Sequence, residues 1–160
     1  SVAQPLLCPP QTSGAPAIAS RLVSAVPAPL RLAVRQRAQG RCEYCLIHED
    51  DFLFAHEPDH IIATQHGGPT VEENLALACA DCNRRKGPNL SSVDPDSNAI
   101  VRLFHPRQDR WAEHFALDGP RIVGLTPAGR ATVFLLQLNS DERIRMRRRL
   151  RQAGRYPQGS

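Results

Sequence analysis

Residues 42–86 begin with CEYC at 42–45, continue through EPDHII at 57–62 and GGPT at 67–70, and end with NLALACADCNRRK at 74–86. Two CxxC pairs therefore flank a segment that contains an adjacent aspartate and histidine, Asp59 and His60. Cysteine pairs at this spacing are typical of tetrahedral metal sites, and a histidine beside a carboxylate can perform acid–base chemistry. One continuous stretch thus combines a pattern that stabilises a fold with a pattern that carries a reaction.

The two cysteine pairs predict a structural zinc site. Each pair presents two thiolates, and a closed site with four sulfur ligands is structural rather than catalytic. Paired disulfides and four unrelated buried thiols are the alternatives, and a reducing cytosolic setting disfavours the disulfides. The fifth cysteine, Cys8, stands apart from both pairs. The predicted zinc ligands are Cys42, Cys45, Cys79 and Cys82.

Composition indicates a small basic protein with one compact domain. The chain has 160 residues, of which 41% are hydrophobic, and a formal net charge of +4. Lys86 is the single lysine, so nearly all basic residues are arginines. The planar guanidinium binds phosphate through two donors, which favours a nucleic-acid partner, although a GC-rich genome would also raise the arginine content. No apolar run approaches the roughly 20 residues of a membrane span and no basic leader begins the chain, so we expect a soluble cytoplasmic protein.

Local patterns predict an α+β order of elements. Residues 1–29 are rich in proline and alanine and are predicted to be a flexible arm, whereas 30–157 would form a single domain. A helix is predicted from Leu30 to Gln39, where Gly40 ends it. The central segments are predicted as extended at 52–55 and 58–62, loop at 64–73, strand at 74–78, and helix from Ala80 to the residue before Gly87.

The C-terminal extension, residues 92–157, predicts a hairpin followed by two helices. The pair Asp118-Gly119 is a strong hairpin signal between apolar segments. Thr126 and Pro127 suit the first turn of a helix that would run to about Leu138, with threonine as the cap. The remaining predicted elements are a strand at 100–104 and a final helix at 141–153, with Ser140 as its cap and Gly154 at its end.

These residues resemble the HNH endonuclease superfamily, whose pattern is Asp/His-His, a glycine-rich loop, Asn-Leu and CxxC-His/Asn-x-x-Lys. The match covers residues 42–87, and the segments 30–40 and 92–157 also look like standalone bacterial HNH proteins. The resemblance implies a ββα-metal core stabilised by a four-cysteine zinc, with flanking helices and a C-terminal hairpin plus two helices. Position 83 holds asparagine where many relatives have histidine, and position 63 holds alanine where proline is common.

The resemblance also implies a catalytic site. His60 would be the general base that activates water, Asp59 and Asn83 would hold the catalytic divalent metal, and Asn74 would tie the loop backbone and so position the base. A histidine with the ordinary pKa of about 6.5 is mostly neutral at pH 7 and can accept a proton. A carboxylate with an amide oxygen favours Mg²⁺ or Mn²⁺, which would stabilise the leaving 3′ oxygen.

Further basic and histidine side chains are predicted to contact nucleic acid. The final helix carries seven arginines between 143 and 155, and such a helix suits a phosphate backbone, although an acidic protein partner or a solvated face would also explain it. His56 would share the strand face of His60, and His66 lies in the glycine loop, so both are further candidates for metal or phosphate contact. The predicted nucleic-acid contacts are Arg84, Arg85, Lys86, Arg145, Arg148 and Arg149.

The sequence therefore predicts a metal-dependent HNH endonuclease that hydrolyses DNA, with RNA as the less favoured substrate. The alternative is a zinc-stabilised nucleic-acid-binding module with a degenerate active site. The joint presence of Asp59, His60, Asn74 and Asn83 argues against that alternative. A protein-interaction zinc domain would leave the Asp-His pair and the arginine helix unexplained. No pattern in the chain indicates a target sequence, a nick or a double-strand cut, or an oligomeric state.

Overall fold

The computed structural model describes residues 25–158, so Cys8 and most of the predicted arm at 1–29 lie outside the described residues. The first helix, α1, spans Ala28–Arg37 and therefore begins inside the range predicted as arm. Pro27 precedes α1 and Pro29 lies in its first turn. These prolines explain the early start, because proline fits the first turn of a helix, where no backbone donor is needed. Gly40 follows α1 at φ +68°, a conformation that favours glycine.

Two strands and a short helix form the centre of the fold. Strand β1, Glu57–His60, pairs antiparallel with β2, Leu75–Ala78, so that His60 lies opposite Leu75. Helix α2, Ala80–Lys86, follows β2 directly. Strand β2 is buried along its whole length, and its Leu75 and Leu77 pack against Val34 of α1. The predicted strand, loop, strand and helix are confirmed.

The predicted extended segment at 52–55 is wrong. A short 3₁₀ turn at Glu49–Asp51 precedes it, and the segment itself pairs with no strand in the described chain. Leu53 and Phe54 point outward, with 87% and 65% of their surfaces exposed. Apolar residues in a row favour a strand only where a neighbouring strand pairs with them. None among residues 25–158 pairs with this segment, although Phe52 packs against the core.

The C-terminal half adds two hairpins and two longer helices. The first hairpin pairs β3, Ser91–Val93, with β4, Ile100–Arg102, and the second pairs β5, Phe115–Asp118, with β6, Arg121–Gly124. The single turn α3, Trp111–His114, leads into β5, and the longer helices are α4, Pro127–Leu135, and α5, Asp141–Gln152. The predicted hairpin and two helices are confirmed, whereas β3 and α3 had no clear signal.

The last two helices begin in different ways. The Thr126 hydroxyl accepts a hydrogen bond from the backbone N–H of Gly129 at 3.0 Å, as the predicted cap requires. Helix α4 ends three residues before the predicted Leu138. Ser140 occupies the position before α5, but the prediction that it caps the helix is wrong, because its side chain makes no capping hydrogen bond. Asp141 and Glu142 lie in the first turn of α5, where negative charge is favourable.

The C-terminal half shares one core with the cysteines. Phe115, Leu136 and Leu138 are at most 1% exposed in this core, and burying each such side chain contributes about 1.5–3 kcal/mol. The Tyr156 hydroxyl donates to the carbonyl of Cys45 at 2.7 Å, so the end of the chain is tied to the first cysteine pair. Within residues 25–158, no helix combines the length and apolarity that a membrane crossing requires.

Candidate functional site

The four paired cysteines lie together at the junction of the two halves of the chain. All four are fully buried, and their sulfur atoms lie within 4.8 Å of one another. The sulfurs of Cys45 and Cys79 are 3.8 Å apart. A tetrahedral zinc with metal–sulfur bonds of about 2.3 Å requires sulfur separations of about 3.8 Å, so the cluster fits this ion. The structure thus positions the four predicted ligands to hold a metal ion.

Two polar donors contact the cysteine cluster. The backbone N–H of Cys82 donates to the Cys79 sulfur at 3.4 Å, and the Arg143 guanidinium of α5 donates to the Cys82 sulfur at 2.9 Å. Burial raises the pKa of the Cys42 and Cys82 thiols. A bound cation opposes that effect by stabilising the thiolates, and the nearby guanidinium adds positive charge.

The adjacent Asp59 and His60 lie at the end of β1. The His60 Nε2 atom is 2.9 Å from the Thr70 hydroxyl, which comes from the loop between the strands. The Asp59 carboxylate is 3.2 Å from the Lys86 ammonium of α2, and both side chains are largely buried. Burial raises the pKa of Asp59, and the Lys86 charge opposes this shift. Strand, loop and helix therefore converge on this pair.

Hydrogen bonds from Asn74 fix the position of the loop that carries Thr70. Its side-chain oxygen accepts from the N–H of Ile62, and its amide donates to the carbonyls of Ile62 and Pro69, each at 2.9 Å. Gly68 is required beside these bonds, because a Cβ atom there would lie 1.8 Å from the Ile62 carbonyl oxygen. The glycine loop can therefore pack this closely against the end of β1 only with glycine at position 68.

Asn83 lies on α2, one turn before Lys86. It lines a cleft of about 520 Å³ together with Phe54, Glu57 and Arg84. Its side chain makes no hydrogen bond to any other residue among those described at 25–158, so the amide oxygen is available to a ligand. Glu57 and Asp59 share one face of β1, because they are two residues apart on a strand. The cleft thus borders the strand face of Asp59.

The predicted phosphate-binding residues of α2 have three different environments. Lys86 is only 3% exposed, and it donates to the His60 carbonyl at 2.9 Å as well as pairing with Asp59. The prediction that Lys86 contacts phosphate does not fit this buried position. Arg85 is half-buried and donates to the Gln137 side chain. Arg84 is exposed and pairs with Asp81 at 3.3 Å.

The arginines of α5 divide into an inner and an outer group. Arg143 and Arg147 are buried, and Arg147 donates to the carbonyls of Pro120 and Leu138 at 2.6 Å. These two residues fix the helix to the protein and are not free for nucleic acid. The outer group is exposed, and its contact with nucleic acid stays a prediction; it comprises Arg145, Arg148 and Arg149.

The two further histidines lie apart from His60. His56 is 1% exposed, its Nε2 atom is 2.9 Å from the Ile47 carbonyl, and its ring packs against Phe52. The prediction of metal or phosphate contact does not fit this buried structural position. His66 is exposed in the glycine loop, with Nε2 3.1 Å from the Pro88 carbonyl.

Sequence reasoning missed the roles of Thr70, Lys86 and Arg143 at these sites. Thr70 is ten residues from His60 along the chain, and a threonine in a glycine-rich loop carries no distinguishing signal. Arg143 stands among six other arginines of the final segment. The partners of Lys86 become visible only once α2 has packed against β1.

Comparisons with known proteins agree with this architecture. Residues 42–89 match a family model described as HNH endonuclease. Septu protein PtuB from Bacillus thuringiensis is 25% identical over 117 residues, which are 72% of this chain and 43% of that protein. The chain thus matches less than half the length of this relative. No solved structure matches the chain. With the ββα order and the four-cysteine cluster, the family match shows that residues 42–89 are an HNH endonuclease domain.

Proposed function

We propose that this chain is a metal-dependent endonuclease that hydrolyses DNA phosphodiester bonds, with His60 as the general base. The observation that carries the proposal is the hydrogen bond of 2.9 Å between His60 Nε2 and the Thr70 hydroxyl. It holds the imidazole at the end of β1, one residue after Asp59. The HNH family match supports nuclease chemistry at this position.

The Thr70 contact also supports an assignment of the ring nitrogen that acts. When the Thr70 oxygen accepts from the Nε2–H of His60, the lone pair of the neutral ring lies on Nδ1. Nδ1 has no hydrogen-bond partner among residues 25–158, and the His60 side chain is partly exposed. In this arrangement Nδ1 would accept the proton of the water that attacks phosphorus, as the bond to the leaving oxygen breaks.

Asp59 and Asn83 are the side chains that would hold the catalytic metal. Both offer hard oxygen ligands, which suit Mg²⁺ or Mn²⁺ better than softer ions. Lys86 pairs with Oδ2 of Asp59, so the other carboxylate oxygen is the one offered to a ligand. A divalent cation bound there supplies positive charge to the scissile phosphate and the leaving oxygen.

The remaining parts of the proposal concern stability and substrate. Zinc at the four cysteines would stabilise the fold, because the cluster is closed and buried and leaves no open coordination position. DNA would be held through its phosphates by the exposed arginines of α2 and α5. We propose DNA rather than RNA because the family's usual substrate is DNA.

Plasmid nicking tests the proposal directly. Purified protein is incubated with supercoiled plasmid and Mg²⁺ or Mn²⁺, and the parent is compared with His60→Ala. The matched control is Gln65→Ala, which removes an exposed side chain of the neighbouring loop that has no assigned role. We expect nicking by the parent and the control but not by His60→Ala. Equal nicking by His60→Ala would refute the assigned base, and metal-independent binding without cleavage by the parent would favour a binding module.

A further inference from the structure

Helix α5 buries two arginines that have no carboxylate partner. Arg143 and Arg147 are 5% and 0% exposed, and because they are four residues apart they share one face of the helix. Within residues 25–158 their hydrogen bonds go to carbonyl oxygens, to the Asn139 side chain and to a cysteine sulfur, and neither pairs with Asp or Glu. A buried charge is costly unless an opposite charge compensates it. The two guanidinium groups therefore require an anion from elsewhere in the core.

The Cys82 sulfur can supply such an anion. One terminal nitrogen of Arg143 donates to this sulfur at 2.9 Å, and the other donates to the Leu136 carbonyl at 3.1 Å. The two bonds together fix the plane of the guanidinium against the cysteine cluster. Charged donors form their shortest hydrogen bonds with anionic acceptors. The contact thus suits a thiolate, which is the form of cysteine that binds a metal.

The carboxylates that border Arg143 do not take the place of this sulfur. Arg143 lines a cleft of about 390 Å³ together with Asp51, Asp81 and Glu142. Asp51 and Asp81 already pair with other arginines, and Glu142 is exposed in the first turn of α5. Among the three carboxylates and the Cys82 sulfur, only the sulfur forms a hydrogen bond with Arg143.

The charges of a zinc-loaded cluster and of α5 compensate each other. Four thiolates carry two more negative charges than one zinc ion neutralises, and the two buried arginines carry two positive charges. Arg147 has one terminal nitrogen without a hydrogen-bond partner among residues 25–158, and its other nitrogens donate to neutral oxygens, so these contacts leave its charge in place. Burial lowers the pKa of Arg147, and negative charge at Cys45 and Cys82 opposes this shift. The cluster is thus close enough to act on both arginines.

We propose that Arg143 is a positioning residue of the metal cluster, whose charge and N–H···S bond raise the affinity for zinc and hold α5 in place, with Arg147 completing the charge balance. This inference rests on the zinc site of the proposed function. Outer-shell hydrogen bonds to metal ligands contribute about 10–100-fold to metal affinity. Because the coupling of two binding events is reciprocal, the bound metal in turn stabilises the docked helix.

Cobalt substitution tests the assignment, because Co²⁺ bound by thiolates has near-UV and visible absorption bands that Zn²⁺ lacks. The full chain is loaded with Co²⁺, its spectrum is recorded, and the Kd for zinc is measured by competition with a chelator. Arg143→Met keeps the apolar stem and removes the charge and the donors, whereas Arg143→Lys keeps the charge. The matched control is Leu150→Ala, which removes a side chain that packs from α5 against the same core and leaves both arginines.

We expect Arg143→Met to raise the Kd for zinc about 10–100-fold. Its thiolate-to-cobalt charge-transfer band should move to longer wavelength, because a sulfur without this hydrogen bond gives up electron density at lower energy. Arg143→Lys should bind zinc more tightly than Arg143→Met. Leu150→Ala should unfold at a lower temperature, because it leaves a cavity, and its band should not move. The band therefore separates the sulfur contact from packing, which also changes metal affinity when binding is linked to folding.

A parental band and a parental Kd in Arg143→Met would overturn the proposal. A raised Kd without a band shift would also overturn it, because packing alone produces that result. Equal loss of metal binding in Arg143→Met and Arg143→Lys would do the same, since shape rather than charge would then be responsible. A parent chain that binds neither ion at the cysteines would refute the zinc site and with it this role of Arg143, whereas metal binding without any effect of Arg143 would refute the role alone.

Discussion

Replacing Lys86 by methionine tests how the structure keeps a charged Asp59 inside the protein. The Lys86 ammonium lies 3.2 Å from Asp59 Oδ2 and donates to the carbonyls of His60 and Gly87 at 2.9 and 3.2 Å. Methionine preserves the length and apolar stem of the side chain and removes the charge and all three contacts. The variant therefore leaves a buried carboxylate without its cation.

The expected loss of stability in Lys86→Met follows from the burial of the ion pair. Lys86 and Asp59 side chains are 3% and 13% exposed, and removing one partner of a buried ion pair destabilises a protein by about 3–5 kcal/mol. A domain of this size has about 5–15 kcal/mol of stability in total, so the zinc-loaded variant should still fold. We expect its Tm to fall by roughly 10–20 °C.

The assay is thermal and denaturant unfolding of zinc-loaded protein, with a matched variant of the same helix. Arg84→Met removes an exposed ion pair with Asp81, which is worth about 0–1 kcal/mol. Adding Asp59→Asn to Lys86→Met should recover about 2 kcal/mol or more, because the uncompensated charge is then absent. The reasoning would be refuted if Lys86→Met lowered the free energy of unfolding no more than Arg84→Met does. It would also be refuted if the double variant recovered none of this free energy.

The same variant has a pH dependence of known sign. Burial already raises the pKa of Asp59 in the folded protein, and removing the opposing Lys86 charge raises this pKa further. When the pKa of a carboxyl is higher in the folded protein than its unfolded value near 3.9, the free energy of unfolding falls as pH rises from the unfolded pKa through the folded pKa. The deficit of Lys86→Met relative to Arg84→Met should therefore be largest at pH 7 and shrink toward pH 4. A deficit that is constant with pH would contradict the assigned contact.

Three further outcomes are expected. Thr70→Val should lower the single-turnover nicking rate about 10-fold or more with little change in KM, and Thr70→Ser should restore the rate. Full activity in Thr70→Val would show that the hydroxyl has no part in the mechanism. Cys79→Ser should lose bound zinc and its near-UV and far-UV circular dichroism together, so a folded variant with one zinc per chain would contradict the structural role of the cluster. Replacing both Arg145 and Arg149 by alanine should reduce the slope of log K for DNA against log salt by about 2, and an unchanged slope would place DNA elsewhere.

Long-range contacts explain where sequence reasoning failed. The segment at 52–55 has the composition of a strand, yet no neighbouring strand receives it, so Leu53 and Phe54 remain in water. His56 has strand spacing relative to His60, but the chain between them does not stay in one strand, since β1 begins at Glu57. Periodicity describes a local preference, and pairing with a distant segment determines whether that preference is realised.

The sequence by itself determined the ββα order, the two cysteine pairs that come together, and the HNH match of residues 42–89. These features follow from local spacing, because CxxC pairs, a glycine loop and helix-ending residues act within a few positions of one another. Only the tertiary structure decided that Lys86 is buried against Asp59, that Thr70 bonds to His60, and that Arg143 contacts the cysteine cluster instead of solvent. Each of these contacts joins separate elements. The burial of each side chain and the identity of its partner are therefore determined only when helices, strands and loops pack together.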